Sequence, residues 1–350
     1  MPRDLVLCFD GTWNTPDEDP ALGHFRTNVA HLYEAVDADP VDRALPVAEV
    51  LKATAPGQGL KWYDPGVGSQ TVGHLLGGLT GLGLSVNVRQ GYEFLVRAWR
   101  PGDAIWLFGF SRGAYTARSL ATMIATAGLL GPATIGQLDA AYDVFRQWGN
   151  RGGDGREARD FRDLYSTERP RLRFLGVWDT VGALGFPLEV LSDLNAAAFG
   201  LNDDWVLAHI DTVRHALALD EHRATYAAKL WNPSTPAANL EQRWFVGAHA
   251  DVGGGYQERR LADITLAWMM QEAAAAGLAL APPPALGAAN YAVRPTDSYA
   301  HFLKGAYART HAPFTRGACA SAHGGERLDA SVAEVEAASP GYRPGAYPLA

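Results

Sequence analysis

The chain has 350 residues, of which 47% are hydrophobic and 19% charged, and its formal net charge is −8. These proportions describe a globular protein with a sizeable core, and the acidic balance supplies no field to gather nucleic acid. Two cysteines without a C-x-x-C pair argue against a cysteine-built zinc site, no apolar run is long enough to span a bilayer, and no secretory leader opens the chain.

In chain order, the first predicted strand is Asp4–Phe9, a continuous apolar run of the kind buried inside a parallel sheet. Cys8 lies within it and reads as a small buried residue, although a disulfide to Cys319 stays open. The strand ends in Asp10-Gly11-Thr12-Trp13-Asn14, and a helical pattern follows over Val29–Val36. Leu60–Tyr63 is a second strand. The glycine-rich stretch 66–85 lacks helix formers and reads as a mobile or tightly packed lid-like segment. A helix over Val86–Trp99 leads into an apolar strand beginning at Ala104. Helices are expected over about 112–128 and 134–149, and an exposed loop over 150–160. Leu172–Trp178, Val213–Leu219 and Arg243–Ala248 read as further strands, and 186–210 as a cap inserted over the carboxyl edge of the sheet. A helix over Ala262–Ala276 and a surface connection over 277–290 complete one catalytic domain of residues 1–325, with 326–350 as a tail.

Four of these strands end in Asp, Ser or His followed closely by glycine. In open parallel sheets ligands bind outside the carboxyl ends of the strands, where such side chains converge. The expected fold is therefore α/β, a three-layer sandwich around a mostly parallel sheet.

The strongest motif is Gly109-Phe110-Ser111-Arg112-Gly113, between an apolar strand and a helix-forming stretch. That order builds a nucleophile elbow, a sharp turn that lifts a serine hydroxyl above the sheet. Glycines flank the serine because the turn leaves no room for side chains. A serine needs a base, and the base needs a carboxylate to orient it. Ser111, Asp179 and His249 follow the hydrolase order of nucleophile, acid and histidine, each after a predicted strand. His301 and His311 compete for the base, and Asp220 for the acid. Asp251 either pairs with His249 or organises the triple-glycine turn Gly253-Gly254-Gly255. The oxyanion donors are assigned to the backbone N–H of Arg112 and of Gly11 or Thr12, with Asp10 in support. The Arg112 side chain reads either as a solvated helix start or as a contact for a phosphate or carboxylate head group.

Other chemistries fit less well. Asp10-Gly11-Thr12 is like the D-x-D-G-T loop of haloacid-dehalogenase-type phosphotransferases, but Cys8 stands where that loop has its nucleophile. The triple glycine lacks the Lys-Ser/Thr of a phosphate-binding loop. The mechanism needs no cofactor or metal. Asp10, Asp179, Asp220 and Asp251 are nonetheless the set that would hold Ca²⁺ if they met at one edge.

Four ordered motifs carry a family resemblance: Cys8-Phe9-Asp10-Gly11-Thr12-Trp13-Asn14, Gly109-Phe110-Ser111-Arg112-Gly113-Ala114, Val177-Trp178-Asp179-Thr180-Val181-Gly182 and His249-Ala250-Asp251-Val252-Gly253-Gly254-Gly255-Tyr256. Over roughly residues 3–310 the chain resembles the α/β-hydrolase family of uncharacterised domains that includes the family-one type VI secretion lipase effectors. The resemblance implies hydrolysis of carboxylic esters, phospholipase A activity among them, by a Ser-Asp-His triad that falls on Ser111, Asp179 and His249. For an effector it further implies membrane-surface contact, an immunity or secretion partner, and export from the cytoplasm without a leader. The expected function is a serine esterase, lipase or phospholipase acting through an acyl-enzyme. An acyltransferase with the same triad and a non-catalytic interaction module on the same fold are the alternatives.

Overall fold

The structure is a computed structural model and describes residues 2–11, 25–41, 57–66, 81–182, 203–320 and 323–344. Its strands are β1 (Asp4–Phe9), β2 (Asp39–Pro40), β3 (Leu60–Asp64), β4 (Ala104–Phe110), β5 (Leu129–Leu130), β6 (Ser166–Glu168), β7 (Leu172–Trp178), β8 (Val213–Ala218), β9 (Leu240–Phe245) and β10 (Glu326–Leu328). Eight of them form one sheet in the order β10-β9-β8-β7-β4-β1-β3-β2, and every ladder in it is parallel. β5 and β6 make a separate antiparallel pair.

Parallel strands need both faces covered, which is why their sequences are continuously apolar rather than alternating. In β1, Leu5, Leu7 and Phe9 enter one core cluster while Val6 and Cys8 enter the other. In β4 the same period of two sends Ile105 and Leu107 one way and Trp106, Phe108 and Phe110 the other. β7 breaks the alternation, since Leu172 and Leu175 share a face. The register against β4 jumps there, with Ile105 opposite Leu172 and Trp106 opposite Phe174, so Arg173 is the extra residue of a bulge.

The described α-helices are α1 (Asn28–Ala35), α2 (Gly81–Ala98), α3 (Arg112–Ala127), α4 (Leu138–Trp148), α5 (Arg156–Tyr165), α6 (Asp203–Leu207), α7 (His249–Gly253), α8 (Arg260–Ala275), α9 (Ala288–Tyr291), α10 (Ser298–His301) and α11 (Ser331–Ala338), with short 3₁₀ segments between some of them. Val88 and Tyr92 of α2, Leu120 and Ile124 of α3, Phe145 of α4 and Phe161 of α5 cover the face of Leu5 and Leu7. Val29 and Leu32 of α1, Ile264 and Met269 of α8 and Val332 and Val335 of α11 cover the other. The result is an α/β three-layer sandwich.

Several expectations need correction. The loop expected over 150–160 contains the start of α5, a helix with only Ala158 and Phe161 buried. Residues after 325 are not simply a tail: β10 pairs with β9 through Glu326–Gln242, Arg327–Arg243 and Leu328–Trp244, and α11 packs behind it. Of the expected cap over 186–210, residues 183–202 lie outside the described residues. Residues 203–210 run to the amino end of the sheet rather than its carboxyl edge, with Val206, Leu207 and Ile210 in the core and Ile210 bridged to Leu172 at the start of β7. Residues 67–80 of the glycine-rich stretch also lie outside the described residues, and α2 begins at Gly81. Cys8 and Cys319 are both free thiols, so no disulfide joins them.

Candidate active site

The connection from β1 runs toward β3 and that from β4 toward β7, on opposite sides. The crevice at the carboxyl ends of β1 and β4 is thus the topological switch point of the sheet, where open α/β folds bind ligands. Ser111 stands at this point, one residue past β4 and one before α3.

Its backbone is strained, with φ 58° and ψ −121°, a conformation that L-residues occupy rarely and at a cost of order 1–3 kcal/mol. The surroundings enforce it. A Cβ on Gly109 would lie 2.5 Å from the carbonyl oxygen of Gly113, and one on Gly113 would lie 2.1 Å from that of Phe9. The Ser111 N–H donates to the carbonyl of Trp178 at the end of β7, 3.0 Å away. Elbow and acid-bearing strand are tied together by this bond.

Asp179 follows β7 directly and also has a positive φ, 38°. Its N–H donates to the Ala216 carbonyl of β8 at 2.7 Å. Its carboxylate accepts from the Ala218 N–H at 3.1 Å and from His249 Nδ1 at 2.5 Å. Arg316 closes on the same carboxylate with a fork, Nη1 to Oδ1 at 2.6 Å and Nη2 to Oδ2 at 3.0 Å. The guanidinium beside it holds this carboxyl well below the usual carboxylate range, against the opposing effect of burial, and the bond to His249 adds to that.

His249 opens α7. Asp251 fixes the turn before it, its Oδ2 accepting from the Ala248 N–H at 2.9 Å and the Thr296 N–H at 2.8 Å, and its Oδ1 from the Thr296 hydroxyl at 2.8 Å. These bonds of Asp251 go neither to His249 nor to the triple glycine but to Ala248 and Thr296. The imidazole lies between Phe110, with ring centroids 4.6 Å apart, and Tyr226, at 5.0 Å. Ser111 Oγ–H donates to Nε2 over 2.8 Å while Nδ1–H points at Asp179. Burial pushes the imidazole below its ordinary pKa, partly offset by Asp179.

The other sequence candidates divide. Asp220 accepts from the Gly247 N–H and the Tyr342 hydroxyl, both at 2.7 Å, and neither of these bonds involves His249. Asp10 accepts from the hydroxyls of Thr27 at 2.6 Å and Tyr63 at 2.5 Å. The Gly11 N–H turns back onto Asp10 Oδ1 at 2.7 Å, which corrects its assignment as an oxyanion donor; Thr12 lies outside the described residues. The partly buried Arg112 guanidinium is pushed down to about 10 by desolvation, so it is not a freely solvated helix start. His301 is exposed, and His311 stacks flat on Tyr307 at 4.1 Å. Asp10, Asp179, Asp220 and Asp251 each bond to separate partners, and among the described residues no group of three or more His, Cys, Asp and Glu side chains could hold a metal.

Sequence reasoning missed Arg316, and it missed the pair Glu221–Arg223. Arg223 grips Glu221 with Nε at 2.8 Å and Nη2 at 2.7 Å and lies 3.6 Å over the Tyr226 ring. Glu221 also accepts from the His249 N–H at 3.3 Å. The run Asp220-Glu221-His222-Arg223 after a strand was the available signal for the pair. Arg316 sits in irregular chain with no motif around it.

Among the described residues no helix is long and apolar enough to cross a membrane. Residues 3–272 match the family described as "T6SS, Phospholipase effector Tle1-like, catalytic domain". The uncharacterized protein YEL023C of Saccharomyces cerevisiae is 26% identical over 259 residues, covering 66% of this chain and 33% of that protein, so the chain spans about a third of the relative's length. Among solved structures, an uncharacterized protein from Pseudomonas aeruginosa aligns with TM-score 0.43 and 19% identity over 81% of this chain and 47% of its own. The Tle1 effector bound to the VgrG spike of the type 6 secretion system aligns with TM-score 0.39 and 19% identity over 73% and 51%. Esterase 2 of Thermogutta terrifontis aligns with TM-score 0.36 and 13% identity over 80% and 85%.

Proposed function

As the chain belongs to the family of Tle1-like catalytic domains of type VI secretion phospholipase effectors, we propose that it is a serine hydrolase of lipid acyl esters, phospholipids among them, working through an acyl-enzyme on Ser111. The observation that carries this reading is the hydrogen-bond relay from Ser111 Oγ through His249, 2.8 Å on one side and 2.5 Å on the other, to Asp179. In the first half-reaction Ser111 Oγ attacks the ester carbon while His249 Nε2 takes its proton. The tetrahedral adduct collapses by breaking the bond to the alcohol oxygen, which leaves with the proton from Nε2. Water then repeats the sequence on the acyl-enzyme, releasing the fatty acid and restoring Ser111. Asp179 keeps the Nδ1–H tautomer in place and stabilises the transient imidazolium.

The oxyanion that forms in each half-reaction lies at the start of α3. A helix start carries a positive dipole end, so the Arg112 backbone N–H is the assigned donor. The second assigned donor, Thr12, lies outside the described residues.

A panel of short acyl esters and phospholipids, run on wild type beside Ser111→Ala, tests the reading. The variant is expected to lose turnover by several orders of magnitude. Undiminished turnover in it would refute a serine mechanism. Family membership also supports export by a type VI apparatus and an immunity partner; co-expression with a neighbouring gene product that suppresses the activity would identify the latter.

A further inference from the structure

Arg316 lies beyond the stretch matched by the family, residues 3–272, and reaches back into the site from irregular chain. Its segment is tied to the strand end that bears Glu221: the Phe314 N–H donates to the His222 carbonyl at 2.8 Å, and His222 Nδ1 returns a bond to the Phe314 carbonyl at 2.9 Å. The guanidinium is itself anchored on carbonyls, Nη1 on Ala218 at 2.9 Å and Nη2 on Tyr226. Arg316 is 3% exposed and Asp179 fully buried. We propose that Arg316 is a positioning residue of this site, a fixed cation whose fork locks the Asp179 carboxylate against His249 Nδ1.

The inference rests on the serine-hydrolase reading and extends it. A carboxylate that faced only the imidazole and one backbone N–H could rotate; one gripped on both oxygens by a planar fork cannot. Charge counting gives the second consequence. Asp179, Glu221, Arg223 and Tyr226 face His249; Arg316 and His215 face Asp179 and Thr180 from behind, Arg112 acts on Tyr226, Arg118 acts on His215, and Asp251 is turned onto Ala248 and Thr296. Glu221 and Arg223 cancel as an ion pair, and so do Asp179 and Arg316. At the ring, each carboxylate is thus matched by its own guanidinium. Removing the arginine leaves one uncompensated negative charge beside the ring, and the ring answers by holding its proton more tightly. Because the base must be neutral to act, the acidic limb of kcat/KM moves to higher pH.

The test is the pH profile of kcat/KM for a short acyl ester in wild type, Arg316→Met and Arg316→Lys, with Ser111→Ala as control and circular dichroism to verify folding. Arg316→Met is expected to move the acidic limb up by roughly one pH unit or more and to lower kcat on the order of 10- to 100-fold. Arg316→Lys keeps the charge but not the fork, so its limb stays near that of wild type while kcat still falls. If Arg316→Met does not fold, Arg316→Lys decides: wild-type kcat in it overturns the positioning role. An unmoved limb in folded Arg316→Met overturns the proposal while Ser111-dependent activity keeps the serine mechanism. Full turnover in Ser111→Ala overturns both.

Discussion

The Asp179 carboxylate accepts from four donors, and only one of them is the imidazole. Asp179→Asn would put an amide where two guanidinium N–H groups and the Nδ1–H all need an acceptor. Two losses should follow. Turnover is expected to fall on the order of 10⁴-fold, because the amide favours the wrong imidazole tautomer. Stability should fall by about 3–5 kcal/mol, because Arg316 becomes a buried charge without its counter-ion. Steady-state kinetics and urea denaturation measure the two separately, and an Asn variant of wild-type stability would contradict the buried pairing. The wild-type profile has its own signature. Burial holds His249 below the ordinary histidine value of about 6.5, so kcat/KM should rise with pH along a limb centred below that value. A limb centred above it would contradict a buried base. Ser111, Asp179 and His249 were readable because each follows an apolar run and stands near glycine. Arg316 was not, since an arginine in irregular chain carries no periodicity.

The elbow depends on backbone approach, and that makes its glycines sharply unequal to others in the chain. A methyl group on Gly113 would meet the carbonyl oxygen of Phe9 at 2.1 Å and that of Asp10 at 2.6 Å, backbone atoms that cannot rotate away. Gly136, in the short 3₁₀ segment before α4, has nothing within 4 Å of the same position. Gly113→Ala is therefore expected to lower stability by roughly 3 kcal/mol or more through overpacking, and Gly136→Ala to stay near wild type. Urea midpoints for the pair check this, and equal midpoints would show that the turn relaxes. The elements themselves follow how much apolar surface each one buries. β1 and β7 were bounded correctly from sequence because a buried parallel strand is mostly apolar, with only Asp4 and the bulge residue Arg173 breaking the run. α5 escaped because it buries only Ala158 and Phe161. β10 escaped because a three-residue edge strand, Glu326-Arg327-Leu328, has no buried pattern to read.

The whole sheet converges its chemistry on one edge, and the groups that support that edge also set how the molecule responds to acid. His215 of β8 is fully buried; its Nδ1–H donates to Gln242 Oε1 at 3.0 Å, and its Nε2 accepts the Thr180 N–H at 3.2 Å, just past Asp179. An acceptor at Nε2 has no room for a second proton, and burial pushes the imidazole down to about 3. In the unfolded chain the same ring protonates near 6.5. The unfolded state therefore binds the extra proton first, and stability present above pH 6.5 is lost as pH falls from there toward 3, with a slope of at most about 1.4 kcal/mol per pH unit from this group. His249, also held low, acts in the same direction. The depressed Asp179 joins them only below the unfolded carboxylate value of about 3.9, while Asp220 and Asp251, raised by burial, oppose the trend. Between pH 6.5 and 4.5 both histidines therefore act to lower stability as pH falls. His215→Gln retains an acceptor for Thr180 and removes the titration, so its unfolding free energy should change less between those two pH values than that of wild type. Parallel losses in the two proteins would mean that His215 does not couple protonation to unfolding.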